Sequence, residues 1–165
     1  MRIIRNRRVS ESRWRAVPEG ALDSGLPPDL PDAVILTLAD WKRHGRALAS
    51  RRALGVRLAP GDDIDAIIDD LGSIELVALE FGSFTEGRPY SVARRLRERL
   101  GFEGEIRAVG DVSRDRLAFM ERCGFDAFEL RADCDPSDAL GAFDEIADVY
   151  QRAADSRAVI ASRRG

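Results

Sequence analysis

The sequence predicts an α/β fold: a three-layer open, mostly parallel sheet of about five strands, with an N-terminal β-hairpin. Two observations predict it. From residue 33 onward, short apolar runs alternate with stretches of helical periodicity. Such a repeat makes strand–crossover–strand units, which lay strands parallel. The 165 residues suit one domain but fall short of the roughly 200 or more that a closed eight-stranded barrel needs. A partial (β/α) barrel is the alternative architecture.

Residues 2–10 read as a hairpin with Asn6 and Arg7 near its turn, and Trp14 as an anchor for the next segment; residues 1–17 form this arm. Residues 18–32 hold four prolines and two glycines and read as an irregular connector. Ala33 to Leu36 is a strand, and Thr37 caps a helix with Asp40 three residues on. Leu38, Trp41, Gly45 and Leu48 mark that helix's inner face. Leu54 to Leu58 is the next strand. Ile64, Ile67, Ile68 and Leu71 recur at helical spacing after Asp62 and Asp63. The run from Ile74 to Phe81 is the longest apolar one and reads as the central strand. Helices are expected from Tyr90 to Leu100 and from Ser113 to Cys123, with a strand at Ile106–Val109 between them. Gly124 and Phe125 form a Schellman-type stop. Ala127 to Leu130 is the last strand, and Leu140, Phe143, Ile146, Ala147 and Tyr150 mark a closing helix. The repeated core spans 33–153, and 154–165 reads as a frayed tail.

Composition excludes several classes of function. The chain is 44% hydrophobic and 33% charged, as a globular protein should be. No apolar run approaches the ~18 residues of a membrane span, and the first residues lack a signal-peptide core. A cytoplasmic location is therefore expected. A net charge of −3 gives no general attraction for nucleic acid or an anionic membrane. Arginine crowds the first fifteen residues, at 2, 5, 7, 8, 13 and 15. That start reads either as a solvated hairpin surface or as a docking patch.

In a parallel sheet, sites form where strands end and helices begin. Two loops hold that position. Residues 81–91 carry hydroxyls, Glu86 and Arg88; residues 110–115 carry Asp111, Ser113 and Arg114. Helix N-termini offer unpaired N–H groups, and guanidinium offers a fork of donors. Arg88, Ser91, Asp111 and Arg114 are therefore candidates for one cleft that accepts a small oxyanion or an anionic metabolite. Helix capping alone also accounts for Asp111 and Ser113. No catalytic residue is assigned.

Cofactor motifs are missing. There is no G-x-x-x-x-G-K-[ST] phosphate loop and no G-x-G-x-x-G fingerprint. His44 is the only histidine, so a multi-histidine metal site is excluded within one chain. Cys123 ends a helix and Cys134 comes after the next strand. They belong to opposite sheet edges, too far apart to pair or to share a metal. No cofactor and no metal are expected.

Three runs carry a resemblance: F-T-E-G-R-P-Y-S-x-A-R-x-L-R-E-R, G-E-I-R-A-V-G-D-V-x-R-D and R-C-G-F-D-A-F-E-L. They resemble a bacterial domain-of-unknown-function family encoded beside assimilatory sulfite reductase and labelled an oxidoreductase of sulfite reduction. The chain departs at Glu86, where that family suggests Asp, and at Pro89, where it suggests Gly. The resemblance implies an accessory role in sulfite reduction and cysteine biosynthesis, with sulfite reductase as the partner. It implies a pathway and no reaction, and the residues supply no redox motif. The alternative is a small enzyme or binding protein for a sulfur- or phosphate-containing metabolite at the C-terminal edge of the sheet.

Overall fold

The computed structural model describes residues 1–50, 52–82 and 87–145. The hairpin is β1 (Arg2–Arg5) and β2 (Arg8–Glu11), joined by Asn6 and Arg7, both at positive φ (49° and 60°). Two successive left-handed residues make the turn type whose twist matches a hairpin. Six further strands complete the set: β3 (Arg15–Ala16), β4 (Ala33–Thr37), β5 (Ala53–Leu58), β6 (Leu76–Phe81), β7 (Glu105–Gly110) and β8 (Ala127–Phe128). They form one sheet in the order β2-β1-β8-β7-β6-β5-β4-β3. From β3 to β8 every pairing is parallel, and the hairpin adds antiparallel to β8.

The α/β class, the mostly parallel sheet and the hairpin are as the sequence predicts. The sheet has eight strands rather than about five, because the hairpin joins it and so does β3, only two residues long. It curls into a half-barrel, the second of the two expected architectures. The reason is the strand order. Neighbours in sequence are neighbours in space all the way from β3 to β8, and right-handed crossovers then put every helix on the same face.

That face holds the main core. Leu54, Val56 and Leu58 of β5, Val77, Leu79 and Phe81 of β6, and Ile106 and Ala108 of β7 pack against Trp41, Ile67, Leu96 and Met120 from the helices. The other face is concave and holds a smaller cluster of Trp14, Ala33, Ile35, Leu76, Ala78 and Val109. The remaining positions on it are charged or small.

The helices bear out most of the spacing argument. Thr37 caps α1 (Leu38–Asp40): its Oγ1 accepts from the Asp40 N–H at 3.1 Å. The helix continues as a π-helical segment, Trp41–Gly45, and then α2 (Arg46–Leu48). Trp41 lies against the Gly45 backbone, so closely that a Cβ there would meet its ring at 2.6 Å. The isoleucine stripe forms a 3-10 helix, Ile64–Ser73, with Asp63 as its cap. α3 spans Arg88–Glu98, and α4 spans Leu117–Cys123 after a 3-10 turn at Arg114–Arg116. The expected Schellman stop is present, with Gly124 N–H donating to Glu121 and Phe125 N–H to Met120. α5 (Pro136–Ala139) leads into the 3-10 turn Leu140–Phe143. The expected continuation through Ile146, Ala147 and Tyr150, and the tail at 154–165, lie outside the described residues.

The basic start is woven into the fold. Arg7 Nε and NH2 donate to the two carboxylate oxygens of Glu121 on α4 at 2.8 and 2.7 Å. Arg2 reaches Asp135 and Ser137, Arg5 reaches Glu105, and Arg13 reaches Glu75. Arg8 and Arg15 are exposed. The hairpin is thus fastened by ion pairs to elements about a hundred residues away or more.

Two substitutions test these contacts. Arg7→Gln should lower unfolding stability by about 1 kcal/mol, a forked pair being stronger than an isolated surface pair, while Arg8→Gln should change little. Urea unfolding of both variants checks the contrast. Gly45→Ala should cost about 1–3 kcal/mol, since the added methyl overpacks a buried ring; its thermal midpoint should fall clearly below that of Ala47→Gly, an exposed site on the same helix.

Candidate functional site

The concave face is built in rows. Parallel register sets Arg57 beside Ala78, Ala78 beside Arg107, and Arg107 beside Ala127. Further along, toward the strands' C-terminal ends, Glu80 stands beside Val109, and the Glu129 N–H donates to Ala108. Charged residues here recur at every second strand position, so each points away from the helix-covered core.

At the C-terminal end of this face lies a cavity of about 240 Å³, lined in part by Ile35, Arg57, Ala78, Val109, Gly110 and Glu129. Arg57 forks onto Glu80, Nε to Oε2 at 2.9 Å and NH2 to Oε1 at 2.8 Å. The Glu80 hydrogen bonds hold the Arg57 guanidinium above its ordinary pKa, and the Glu129 charge adds to this. Glu129 itself is half-buried and has no ion pair among the described residues. The cavity therefore offers one committed Arg–Glu pair, one available carboxylate and apolar walls.

Beyond the cavity the loop after β7 is tied down by two arginines. Gly110 sits at φ +85°, where a Cβ would lie 2.5 Å from the Phe81 carbonyl oxygen. Only glycine fits that approach. The next residue, Asp111, is held from two sides. Its Oδ1 accepts from Arg131 NH1 at 3.1 Å, and its Oδ2 lies 3.3 Å from Arg116 NH2. Arg116 also donates to the Asp111 backbone oxygen and to Ser113 Oγ. Arg131 forks onto Asp133 as well, which holds the Asp133 carboxyl below its usual range. Ser113 Oγ donates to Asp115 at 2.6 Å and lowers that carboxyl too. Arg116 lies over the Phe81 ring at 5.7 Å and reaches Tyr90.

The four expected site residues fall into separate surroundings. Arg88 is exposed at the start of α3 and lines a small groove with Pro60, Gly61, Asp62, Glu80 and Pro89. Gly87, the N-cap of α3, has no side chain to cap it, and Arg88 has no ion pair among the described residues. Ser91 is exposed one turn along. Asp111 is held in the knot just described. Arg114 forks onto Glu145 and faces the region after α5. Asp111 is thus an ion-pair partner and not a helix cap, and Ser113 caps nothing with its side chain. Glu86 lies outside the described residues.

Sequence reasoning passed over Arg57, Glu80 and Glu129. The signal was there: each is a single charge in an apolar run, in G-V-R-L, A-L-E-F and A-F-E-L. Cys123 is buried, Cys134 half-buried, and the two are not joined in a disulfide. Among the described residues, no group of three or more His, Cys, Asp or Glu could hold a metal ion. None of the described helices is long and apolar enough to cross a membrane.

Tyr90 gives a test of this edge. Burial pushes its hydroxyl above the ordinary value of 10.0, while Arg116 pulls it down. The folded state therefore keeps the proton longer than the unfolded chain does. Stability should fall as pH rises from about 10 through the folded pKa. In a Tyr150→Phe background, ultraviolet titration should place Tyr90 above free tyrosine, and Arg116→Met should move it higher still.

The chain matches no curated protein at a significant level. Residues 55–160, from the middle of β5 onward, match the family model described as a bacterial protein of unknown function, DUF934. That match covers β6 to β8, α3, α4 and the loops that build the C-terminal edge, and the chain belongs to this bacterial family.

Proposed function

We propose that this protein serves assimilatory sulfite reduction as an accessory, binding a small anionic sulfur- or phosphate-containing metabolite at the C-terminal edge of its sheet. One observation carries the site. Among the five arginines placed at this edge, Arg57, Arg114, Arg116 and Arg131 each have a carboxylate partner, and Arg88 has none among the described residues. It stands at the uncapped N-terminus of an eleven-residue helix, where the backbone N–H groups and the helix dipole favour an anion. Ser91 lies one turn further along the same helix. Asp111 acts as a positioning residue that fixes Arg116 and Arg131, and Arg114 joins only by releasing Glu145. The pathway rests on the resemblance of the three motif runs, and sulfite reductase is the partner it implies.

The groove beside Arg88 and the cavity over Arg57 meet at the Arg57–Glu80 pair, Glu80 lining the first and Arg57 the second. A metabolite with an acidic head and a donor group suits that arrangement, the head at Arg88 and the donor at Glu129. Calorimetry of the full chain with sulfite, sulfate and phosphate tests the reading. Arg88→Ala should weaken binding by about tenfold, the worth of one charge-assisted hydrogen bond. Equal binding by the variant and the unaltered chain would overturn it.

A further inference from the structure

The concave face has a second cavity, at the end opposite the site above. It measures about 170 Å³, and its lining includes Arg5, Ser12, Arg13, Trp14, Glu105 and Arg107. Arg107 stands in the middle of β7 and is 1% exposed. A guanidinium so placed demands a counter-charge. Glu105, two residues earlier on the same face, supplies it: Arg107 Nε and NH2 lie 2.7 and 2.6 Å from Oε1. But Glu105 is shared. Arg5 Nε, reaching over from β1, lies 3.2 Å from its Oε2.

Two guanidinium groups therefore face one buried carboxylate. The nearby charges are paired elsewhere, although the Asp126 carboxylate, whose ion pair is with Arg97, also feels the Arg5 charge. Arg13 pairs with Glu75 at 2.9 Å, Glu11 with the Met1 amine at 2.9 Å, and Asp126 with Arg97 at 3.0 Å. The hydrogen bonds lean the same way. Ser12 Oγ accepts from Arg107 NH1 at 3.0 Å and from the Trp14 N–H at 3.2 Å. Both of its lone pairs are taken, and its O–H remains a donor. Arg107 uses three of its five N–H groups in these contacts. The terminal nitrogens of Arg5 make no hydrogen bond among the described residues. Water would supply acceptors, but it brings no charge.

We propose that this cavity is a binding site for a small oxyanion of the sulfate or phosphate type, held by Arg107, Arg5 and the Ser12 hydroxyl. The planar guanidinium fork matches two oxygens of such an anion. Glu105 holds the two forks apart and in register and leaves one positive charge for the anion to balance. Arg5 sits on β1 and Ser12 directly after β2, so the occupant also binds the hairpin to the centre of the sheet. This site is separate from the one at Arg88 and does not depend on it.

The test is an NMR titration of the full chain with inorganic phosphate and, separately, with sulfate, at constant ionic strength set by chloride. Saturable shifts are expected at the Ser12 and Trp14 amides and the Arg107 Nε–H. Arg5→Gln and Ser12→Ala should each weaken them by about tenfold, and Arg88→Ala should leave them unchanged. Arg5 is more than half exposed, so Arg5→Gln should fold and carries the test by itself; Ser12→Ala also removes the acceptor of Arg107 NH1 and of the Trp14 N–H, and its amide spectrum before titration shows whether it has folded. Binding of both anions marks a general oxyanion site, and binding of one alone marks a selective one; either supports the proposal. It is overturned if neither anion gives saturable shifts at these residues, or if the shifts survive Arg5→Gln. Shifts confined to the start of α3 and lost in Arg88→Ala would also overturn it, while leaving the reading of the C-terminal edge intact.

Discussion

Arg107 has to be neutralised where it stands, and much of the N-terminal arm is arranged around that need. A charged group in the middle of a central strand, cut off from water, is tolerable only with a partner and full hydrogen bonding. Glu105 provides the charge from the same strand, so β7 carries its own ion pair. Ser12 provides the next acceptor, which fixes where the chain must pass after the hairpin. Its second hydrogen bond fixes the backbone of Trp14, and Trp14 then seals the apolar patch of the concave face. Arg5, from β1, takes the other oxygen of Glu105. The hairpin is therefore docked by its polar contacts with β7 as well as by its strand pairing with β8.

The same constraint explains the asymmetry of the two faces. A sheet whose strands succeed one another in sequence has all its crossovers on one side. The helix-covered face can be wholly apolar, and it is. The opposite face receives no helix, so its residues must be small, partly wetted or paired. Ala78 and Ala127 alternate across the sheet with Arg57 and Arg107, and each arginine has a glutamate within reach. Small neighbours leave space above the sheet, and that space forms the cavities. Curling and pairing are thus linked: the half-barrel shields the charges enough to make them specific without closing over them.

At the C-terminal edge the ion pairs act as a frame. The Asp111 knot fixes the β7 and β8 loops, and the Gly110 turn lets the chain pass against Phe81 without a side chain between. A frame with almost every charge matched leaves few groups available for a ligand. Arg88 and Glu129 stand beside a cavity without an ion pair among the described residues, and they are of opposite sign. That combination favours a small polar molecule over a flat macromolecular surface, and it suits the anionic metabolite of the proposed pathway.

Local patterns alone determined a good deal. The α/β class, the hairpin turn at Asn6 and Arg7, the Thr37 cap and the Gly124 stop all depend on short-range geometry, and short-range geometry is written in neighbouring residues. The β3 strand was not legible, because Arg15 and Ala16 have no strand pattern and become one only by pairing with Val34 and Ile35. The isoleucine stripe was legible as a helix, but its tightening into a 3-10 form was not, because packing chose between the two. For the site, the loops at the strand ends were legible, and Arg88 stands in one of them. Which arginine would find a partner was not: Arg114 meets Glu145, Arg131 meets Asp111, and Arg5 meets Glu105 across gaps of about 20 to 100 residues. Strand order decided those pairings, and strand order is a choice among whole-chain arrangements that no local spacing encodes.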